Sequence, residues 1–345
     1  MQNETELTVV QDETELSLPG YEDLEAAQRR IAPYAVVTPL IEHPALNERL
    51  GARVLLKAEN LQRVGAFKFR GAYNAISQID RSEFPGGVVA CSSGNHAQGV
   101  AAAATLYAMR SLIVMPSDAP ALKLARTKRF GAEVVCYDRA SEDREAIARA
   151  ICNDRHAAFV HPFDNPHVVA GQGTVGLELM RQAAAVAAIP DVVLMPVSGG
   201  GLLAGVSLAI KNSAPDAQVY GVEPQGFDDF ACSLASGRQQ TSERSAGSIC
   251  DALLSKSPGR IALAIARKTV TGGLTVSDAE AGAALRFAFL ELKLVLEPSG
   301  AVALAAILSE KIPLRGKTVA AVLSGGNIDP LLFARIIQQP DLASG

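Results

Sequence analysis

The sequence predicts an α/β protein with open, mostly parallel sheets, arranged as two lobes around a cleft. Short apolar runs typical of strands alternate with helical segments along most of the chain. Three of the predicted strands end in small, polar or glycine-rich turns, and ligands of open α/β sheets bind beyond the carboxyl ends of the strands. With 345 residues, the chain is long for one domain and suits two lobes.

Composition excludes several classes of function. Hydrophobic residues make up 48% of the chain and charged residues 20%, so a large core can form. The net charge is −4 and the basic residues are dispersed, so we expect no nucleic-acid partner. Glycine, proline or charge interrupts the long apolar runs, so we expect no membrane span. The five cysteines are an odd number and lack metal-ligand spacing. We therefore expect them to be small core residues in a reducing cytoplasm.

Residues 1–20 are predicted to be a flexible, acidic tail. They contain neither the basic region nor the apolar region of a signal peptide, which is consistent with a cytoplasmic protein.

Eight segments are predicted to be strands. Residues 53–57 show the alternation of a half-buried strand, whereas residues 88–93 form a continuous apolar run typical of a buried strand. In chain order, the predicted strands are 53–57, 88–93, 111–115, 133–137, 157–161, 191–197, 218–223 and 318–323.

Helices are predicted between these strands. Residues 21–34 have helical apolar spacing, and Pro39 favours extended backbone in the residue before it. Gly131 suits the left-handed position that follows a helix ending at Phe130. In chain order, the predicted helices are 21–34, 71–79, from the turn at 94–96 to 109, 121–130, 141–153, 168–187, from the turn at 198–201 to 211, 278–292 and 300–309.

Lys68 lies at the junction of the first predicted strand and a helix, between Phe67 and Phe69. Aromatic neighbours can remove water from the amine, which lowers its pKa and makes it a nucleophile toward a carbonyl carbon. A surface lysine whose stem rests on an apolar shelf explains this stretch alone at least as well. Other turns must therefore decide between the two.

Two such turns carry donors suited to anions. In the glycine turn, residues 198–202, the backbone can approach a phosphate closely, and the N–H groups of a helix N-terminus stabilise its charge. The serine turn, residues 92–96, is another donor-rich helix N-terminus and suits a carboxylate. Tight packing alone also explains either turn.

The glycine turn also fits an alternative of another class, a nicotinamide-dependent oxidoreductase. It follows a strand and opens a helix, and Glu223 at the end of the next strand could bind a ribose. We rank this alternative second, because it gives no role to Lys68 or to the turn at Ser324.

Six motifs in one order identify a family resemblance. They are Gly65-Ala66-Phe67-Lys68-Phe69-Arg70-Gly71-Ala72, Ser92-Ser93-Gly94-Asn95-His96, Ala170-Gly171-Gln172-Gly173-Thr174, Ser198-Gly199-Gly200-Gly201-Leu202, Glu297-Pro298-Ser299-Gly300 and Ser324-Gly325-Gly326-Asn327. Together they resemble the serine/threonine dehydratases, or threonine ammonia-lyases, of the fold-type II pyridoxal phosphate enzymes. Serine racemases and 3-hydroxyaspartate ammonia-lyases share nearly all of them. The resemblance implies a two-lobed, tryptophan synthase β-like fold that binds pyridoxal 5′-phosphate.

The resemblance also implies a role for each matching residue. Lys68 would form a Schiff base with the cofactor and move the α-proton, and Ser93 would be the second catalytic residue. The cofactor-binding residues would be Phe67, Lys68, Asn95, Gly199, Gly200, Gly201, Leu202 and Ser324. The residues around the substrate carboxylate would be Ser92, Ser93, Gly94 and His96. Ser198 stands where many relatives have glycine, which changes one donor.

The implied reaction is β-elimination from a small hydroxy amino acid. Ser324 would face the pyridine nitrogen, and a neutral hydroxyl cannot stabilise a pyridinium as a carboxylate would. Early loss of the β-hydroxyl is then favoured over a long-lived carbanion. L-Threonine would give 2-oxobutanoate and ammonia, and L-serine would give pyruvate and ammonia. Phe163 stands where dehydratases are expected to have phenylalanine, which leans toward elimination.

Several alternatives stay open. Serine racemase and L-threo-3-hydroxyaspartate ammonia-lyase share the motifs, and β-replacement, as in cysteine synthase, uses the same cofactor. A regulator that binds an amino acid without catalysis is disfavoured because Lys68 is intact.

The resemblance implies a cation site and an arrangement of domains as well. Glu223, the Phe227 carbonyl and Asp229 could supply oxygens to Mg²⁺ or Ca²⁺, as in serine racemases and related dehydratases. Residues 21–86 and 168–335 would form the large cofactor-binding domain, and residues 87–167 the small domain. The family also implies a homodimer.

Overall fold

A computed structural model describes residues 16–119, 121–138, 141–244 and 246–338. The helices are α1 Tyr21–Ile31, α2 Pro44–Leu50, α3 Lys68–Ile76, α4 Asn95–Leu106, α5 Ala121–Arg129, α6 Arg144–Arg155, α7 Pro166–Ala185, α8 Gly201–Ser213, α9 Asp229–Ser236, α10 Arg260–Thr269, α11 Asp278–Leu290, α12 Pro298–Leu308 and α13 Pro330–Ile337. The strands are β1 Leu40–Glu42, β2 Arg53–Ala58, β3 Val88–Cys91, β4 Ser111–Pro116, β5 Glu133–Tyr137, β6 Ala158–Phe159, β7 Val192–Pro196, β8 Gln218–Pro224, β9 Gly272–Val276 and β10 Thr318–Leu323. Most of the predicted tail, residues 1–15, lies outside the described residues.

The strands form two separate sheets. One has six strands in the order β1-β2-β10-β7-β8-β9, and the other has four in the order β5-β4-β3-β6. Neighbouring strands run parallel except for the antiparallel pair β1–β2. The predicted α/β class with open, mostly parallel sheets is therefore confirmed. The four-stranded sheet comes from residues 88–159, which lie between β2 and β7 in the sequence. The division into a small domain of residues 87–167 and a large domain stays a prediction.

The observed elements differ from the predicted ones mainly at the sheet edges. Strands β5 and β10 have the predicted limits. The sequence pattern does not predict β1, which has three residues, or β9, whose two glycines disfavour a strand. It also omits the short helices α2, α9, α10 and α13. Helix α3 begins at Lys68, three residues before the predicted start, so the lysine belongs to the helix.

The centre of the six-stranded sheet is buried on both faces. Alternate residues of β7 and β10 pack into two different apolar cores: Val192 and Val319 lie in one, whereas Val193 and Ala320 lie in the other. Because β2, β10 and β7 are parallel neighbours, the turns that follow them lie at the same edge of this sheet. The edge therefore gathers three of the predicted site turns.

Helix α3 is attached to the sheet by a buried ion cluster of two cations and two carboxylates. Arg70 of α3 bonds Glu59 and Glu178, with a separation of 2.8 Å in each pair. Lys57 of β2 bonds the second oxygen of Glu178 at 2.8 Å. The side chains of the two cations and of Glu59 are fully buried. Charged side chains that are buried away from water must be paired. This cluster therefore fixes α3, with Lys68 at its start, against β2 and α7.

We expect the substitution Arg70→Met to lower the free energy of unfolding by about 3–5 kcal/mol, because it leaves two buried carboxylates without their shared guanidinium. Urea unfolding monitored by circular dichroism measures this loss. Arg53→Met is the matched control, since the Arg53–Glu42 pair is about one-third exposed and should contribute much less to stability. Equal losses in the two variants would contradict the anchoring role of the cluster.

Candidate active site

The turns at the carboxyl ends of β2 and β10 are hydrogen-bonded to each other. Phe67 N donates to Ser324 O at 3.1 Å, and Gly326 N donates to Gly65 O at 2.9 Å. A backbone bridge also joins Ala66 to Gly325. Lys68 and the buried Ser324 are thereby brought together, although they lie far apart in sequence.

The Lys68 amine lies in an enclosed position beside the glycine turn. Its Nζ atom donates to Pro162 O at 2.7 Å and lies 5.3 Å from the centre of the Phe67 ring. Burial lowers the pKa of the Lys68 amine to about 8. Near neutral pH, an appreciable fraction of this amine is therefore unprotonated and able to attack a carbonyl carbon.

The glycine turn packs against the residue next to Pro162. A Cβ atom added to Gly199 would overlap the Phe163 ring, and one added to Gly201 would lie 3.1–3.2 Å from Phe163 atoms. Gly200 has φ +92°, in the left-handed region that favours glycine. Helix α8 starts at Gly201, so the N–H groups of its first turn lack partners within the helix. This backbone fits a phosphate at a helix N-terminus.

The hydroxyl of Ser198 already has one partner in the protein. Its Oγ atom accepts a hydrogen bond from Ser255 N at 3.1 Å, and Gly199 O accepts one from Gly259 N at 2.9 Å. These two hydrogen bonds connect the glycine turn to the segment before α10.

The serine turn follows β3 of the four-stranded sheet and opens α4. Ser92, Ser93 and Gly94 are partly exposed, and a Cβ atom added to Gly94 would meet nothing within 4 Å, so the turn borders open space. Ser92 Oγ accepts a hydrogen bond from Gly94 N at 3.2 Å. Exposed hydroxyls and a helix N-terminus are suitable donors for a carboxylate.

His96 lies deeper than the rest of the serine turn. Its Nε2 atom is 3.0 Å from Val160 O, and burial lowers the pKa of the imidazole to about 3. The ring is therefore neutral at physiological pH, with Nε2 as the donor to that carbonyl. Its Nδ1 atom has no hydrogen-bond partner among the described residues.

Glu297 is a site residue to which the sequence analysis assigns no role, although its motif is recognised. It is 4% exposed, and its Oε1 atom accepts a hydrogen bond from Asn95 Nδ2 at 2.6 Å. Burial raises the pKa of this carboxyl to about 7, despite the opposing effect of Asn95. A glutamate directly before the apolar helix α12 is the sequence signal that could have indicated a site residue here. Asn95, predicted to bind the cofactor, therefore also has a carboxyl partner.

The predicted cation ligands come from the end of β8, the start of α9 and the turn between them. Glu223 is fully buried and accepts hydrogen bonds from Phe230 N and Ala231 N at 3.0 and 2.9 Å. Burial raises the pKa of Glu223 to about 8 and that of Asp229 to about 6. Asp229 Oδ2 is buried and has no hydrogen-bond partner within the part of the chain that the structure describes.

Glu223 and Asp229 would give a cation only two carboxylate ligands. No cluster of three or more histidine, cysteine, aspartate or glutamate side chains suited to a metal occurs among the described residues. A cation here would need backbone oxygens as well, which hard ions such as Mg²⁺ and Ca²⁺ accept. The unpartnered Asp229 oxygen fits such an ion.

Comparison with known proteins assigns the family. The pyridoxal-phosphate dependent enzyme family matches residues 31–325. The chain belongs to this family. The predicted dependence on pyridoxal phosphate is thereby confirmed, and the nicotinamide alternative has no support.

Individual relatives cover nearly the whole chain. It is 41% identical to L-threo-3-hydroxyaspartate ammonia-lyase from Pseudomonas sp. over 94% of this chain and 100% of the relative. It is 38% identical to serine racemase from Schizosaccharomyces pombe over 94% and 99%. The crystal structure of a threonine deaminase from T.th. is 46% identical, covers 90% of this chain and 99% of its own, and superposes with a TM-score of 0.86. The resemblance in fold and family is confirmed, while three different activities are similarly close.

No helix in the described part of the chain combines the length and the apolar character needed to cross a bilayer.

We expect the reaction of Lys68 with pyridoxal phosphate to be half-maximal near pH 8. With a pKa near 8, more than half of the amine is unprotonated and reactive above pH 8. An ordinary lysine would reach the same unprotonated fraction only near pH 10.4. The rate at which a visible absorption band appears, when the cofactor is added to cofactor-free protein at different pH values, measures this dependence. Lys68→Ala should give no such band. A rate that still rises steeply above pH 10 would contradict the enclosed position of the amine.

Proposed function

We propose that this protein eliminates water from L-threonine, and also from L-serine, and that hydrolysis of the resulting enamine then releases ammonia and gives 2-oxobutanoate or pyruvate. The observation that carries this proposal is the arrangement around Lys68. A nucleophilic amine, a glycine-lined helix N-terminus and a neutral serine meet at one sheet edge. The 46% identity to a threonine deaminase of matching fold supports the same assignment.

The residues that fit pyridoxal phosphate would each hold a different part of it. The N–H groups of Gly199, Gly200, Gly201 and Leu202 would neutralise the phosphate, and Phe67 would pack against the ring. Asn95 would donate to the phenolic oxygen, and Ser324 would face the pyridine nitrogen. When bound, the cofactor supplies an electron sink that makes the α-proton of an attached amino acid acidic.

Two side chains would move or hold protons. Lys68 in its unprotonated form would accept the α-proton, which its lowered pKa of about 8 permits near neutral pH. The serine turn would bind the substrate carboxylate through Ser92, Ser93, Gly94 and the N–H group of His96, which orients the α-carbon. Ser93 would hold a proton beside that carboxylate as the second catalytic residue.

The hydroxyl at Ser324 favours early loss of the β-hydroxyl over a long-lived negative charge on the α-carbon. A hydroxyl shares a hydrogen bond with the pyridine nitrogen but does not keep it protonated, so charge on the α-carbon is poorly stabilised unless the β-hydroxyl departs. A methyl group changes binding in an apolar pocket by about 1–3 kcal/mol. Activity on both threonine and serine therefore follows.

L-threo-3-Hydroxyaspartate is the second candidate substrate, favoured by 41% identity to a lyase of that name along its full length. Serine racemisation is the third, favoured by the racemase from Schizosaccharomyces pombe. Both would use the same residues around the α-carbon. A homodimer stays a prediction from the family.

We expect fast release of 2-oxobutanoate from L-threonine and of pyruvate from L-serine, both abolished in Lys68→Ala, because the amine both holds the cofactor and accepts the α-proton. An assay of 2-oxo acid and ammonia, with L-threo-3-hydroxyaspartate as a third substrate and chiral analysis of remaining serine, measures all candidates together. Turnover of hydroxyaspartate alone, or D-serine without pyruvate, would overturn the threonine assignment.

We also propose that Glu223, Asp229 and the Phe227 carbonyl bind Mg²⁺ or Ca²⁺. The cation would satisfy the buried Asp229 oxygen and offset the repulsion between the two carboxylates.

Either cation should raise the melting temperature of the protein by roughly 2 °C or more, because it binds only the folded chain. Differential scanning fluorimetry with and without a chelator measures the shift. Asp229→Asn keeps the shape of the side chain but removes its charge, so the shift should disappear. A cation-induced shift that persists in this variant would contradict the assignment.

A further inference from the structure

A chain of hydrogen bonds connects α5 with the interior of the site. Arg126 Nη1 donates to Asn327 Oδ1 at 3.1 Å, and Asn327 Nδ2 donates to Asn95 Oδ1 at 2.8 Å. Asn95 Nδ2 in turn donates to Glu297 Oε1 at 2.6 Å. We propose that Arg126 is a positioning residue that fixes, through Asn327, which end of the Asn95 amide faces the cofactor. This inference rests on the proposed cofactor contact of Asn95.

The first link determines the orientation of the Asn327 amide. A guanidinium group can only donate hydrogen bonds, so the oxygen of Asn327 must face Arg126. The Val64 carbonyl can only accept, and it receives a hydrogen bond from Asn327 Nδ2 at 2.6 Å. The two partners therefore select the same orientation, and Asn327 presents its NH₂ group to Asn95.

The second link transfers this orientation to Asn95. Its oxygen is occupied by Asn327, so its NH₂ group faces Glu297 and uses one hydrogen there. The second hydrogen of that group stays available to an acceptor such as the phenolic oxygen of the cofactor. In the reversed orientation, Asn95 would present its oxygen to both acceptors and could donate to neither.

Close backbone packing keeps the two amides in place. A Cβ atom added to Gly65 would lie 2.8 Å from Asn327 Oδ1, and one added to Gly325 would lie 3.1 Å from Asn95 Nδ2. Backbone therefore packs closely against both amides and keeps each amide plane in place, while the hydrogen-bond partners select which end is the oxygen.

Arg126 reaches this network from the other sheet. Helix α5 lies between β4 and β5 of the four-stranded sheet, whereas Asn327 follows β10 of the six-stranded sheet. Lys123, one turn before Arg126, pairs with Asp251. Lys123 and Arg126 thus hold α5 against residues that follow strands of the six-stranded sheet. Of these two cations, Arg126 is the one that bonds the amide of Asn327.

Arg126→Met should weaken the binding of pyridoxal phosphate by about twofold to tenfold, the range expected for loss of one oriented hydrogen bond. It should also change the ratio of the visible to the near-ultraviolet absorption band of the bound cofactor, because that ratio depends on the protonation of the phenolic oxygen. Both quantities are measured without substrate, so they do not depend on which amino acid the enzyme uses.

Two variants of α5 serve as controls. Arg129→Met removes the same charge from an exposed position on the same helix and should leave affinity and band ratio unchanged. Arg126→Lys keeps a donor for the single contact with Asn327 and should restore most of both properties. Melting temperatures within about 2 °C of the unmodified protein would show that each variant is folded.

A double-mutant cycle tests whether Arg126 acts through Asn327. In an Asn327→Ala background, Arg126→Met should cause no further change in affinity or band ratio. Equal effects of Arg126→Met and Arg129→Met, or additive effects of Arg126→Met and Asn327→Ala, would overturn the inference. A failure of threonine turnover with these spectral differences intact would overturn only the proposed substrate.

Discussion

The buried ion cluster of Lys57, Glu59, Arg70 and Glu178 is the constraint on which the rest of the site depends. Its members come from β2, the turn after β2, α3 and α7, and none can be left unpaired away from water. The cluster therefore holds α3 against β2 and α7, and Lys68 is the first residue of that helix. A lysine at that point is enclosed by neighbouring backbone, which explains both its bond to Pro162 and its lowered pKa.

Parallel topology provides the remaining parts. Because β2, β10 and β7 are neighbours in one sheet, the lysine, the serine and the glycine turns lie at one edge. The four-stranded sheet contributes the serine turn and the segment from Pro162 to Phe163, which touches both Lys68 and Gly199. Residues from both sheets thus surround the same amine. This arrangement explains how short motifs that are spread over most of the chain come close together.

Much of the fold and of the candidate site could be predicted from the sequence, because short motifs indicate both. Apolar strands and glycine runs indicate the fold class, and the Phe67-Lys68-Phe69 junction, taken together with the other five motifs, indicates the proposed catalytic lysine. The contacts of Glu297 and Arg126 could not be predicted in this way. A carboxyl that meets Asn95, and a guanidinium that meets Asn327, are tertiary contacts between residues about 200 positions apart. The short edge strands β1 and β9 were missed because pairing, rather than propensity, creates them.

We propose that the cofactor is attached to Lys68. Borohydride reduction of the cofactor-loaded protein, followed by proteolysis and mass spectrometry, tests it most directly, because reduction makes the bond between amine and cofactor permanent. We expect one modified peptide, carrying the phosphopyridoxyl group on Lys68. Modification of another lysine in place of Lys68, or a cofactor that leaves no covalent mark, would contradict it.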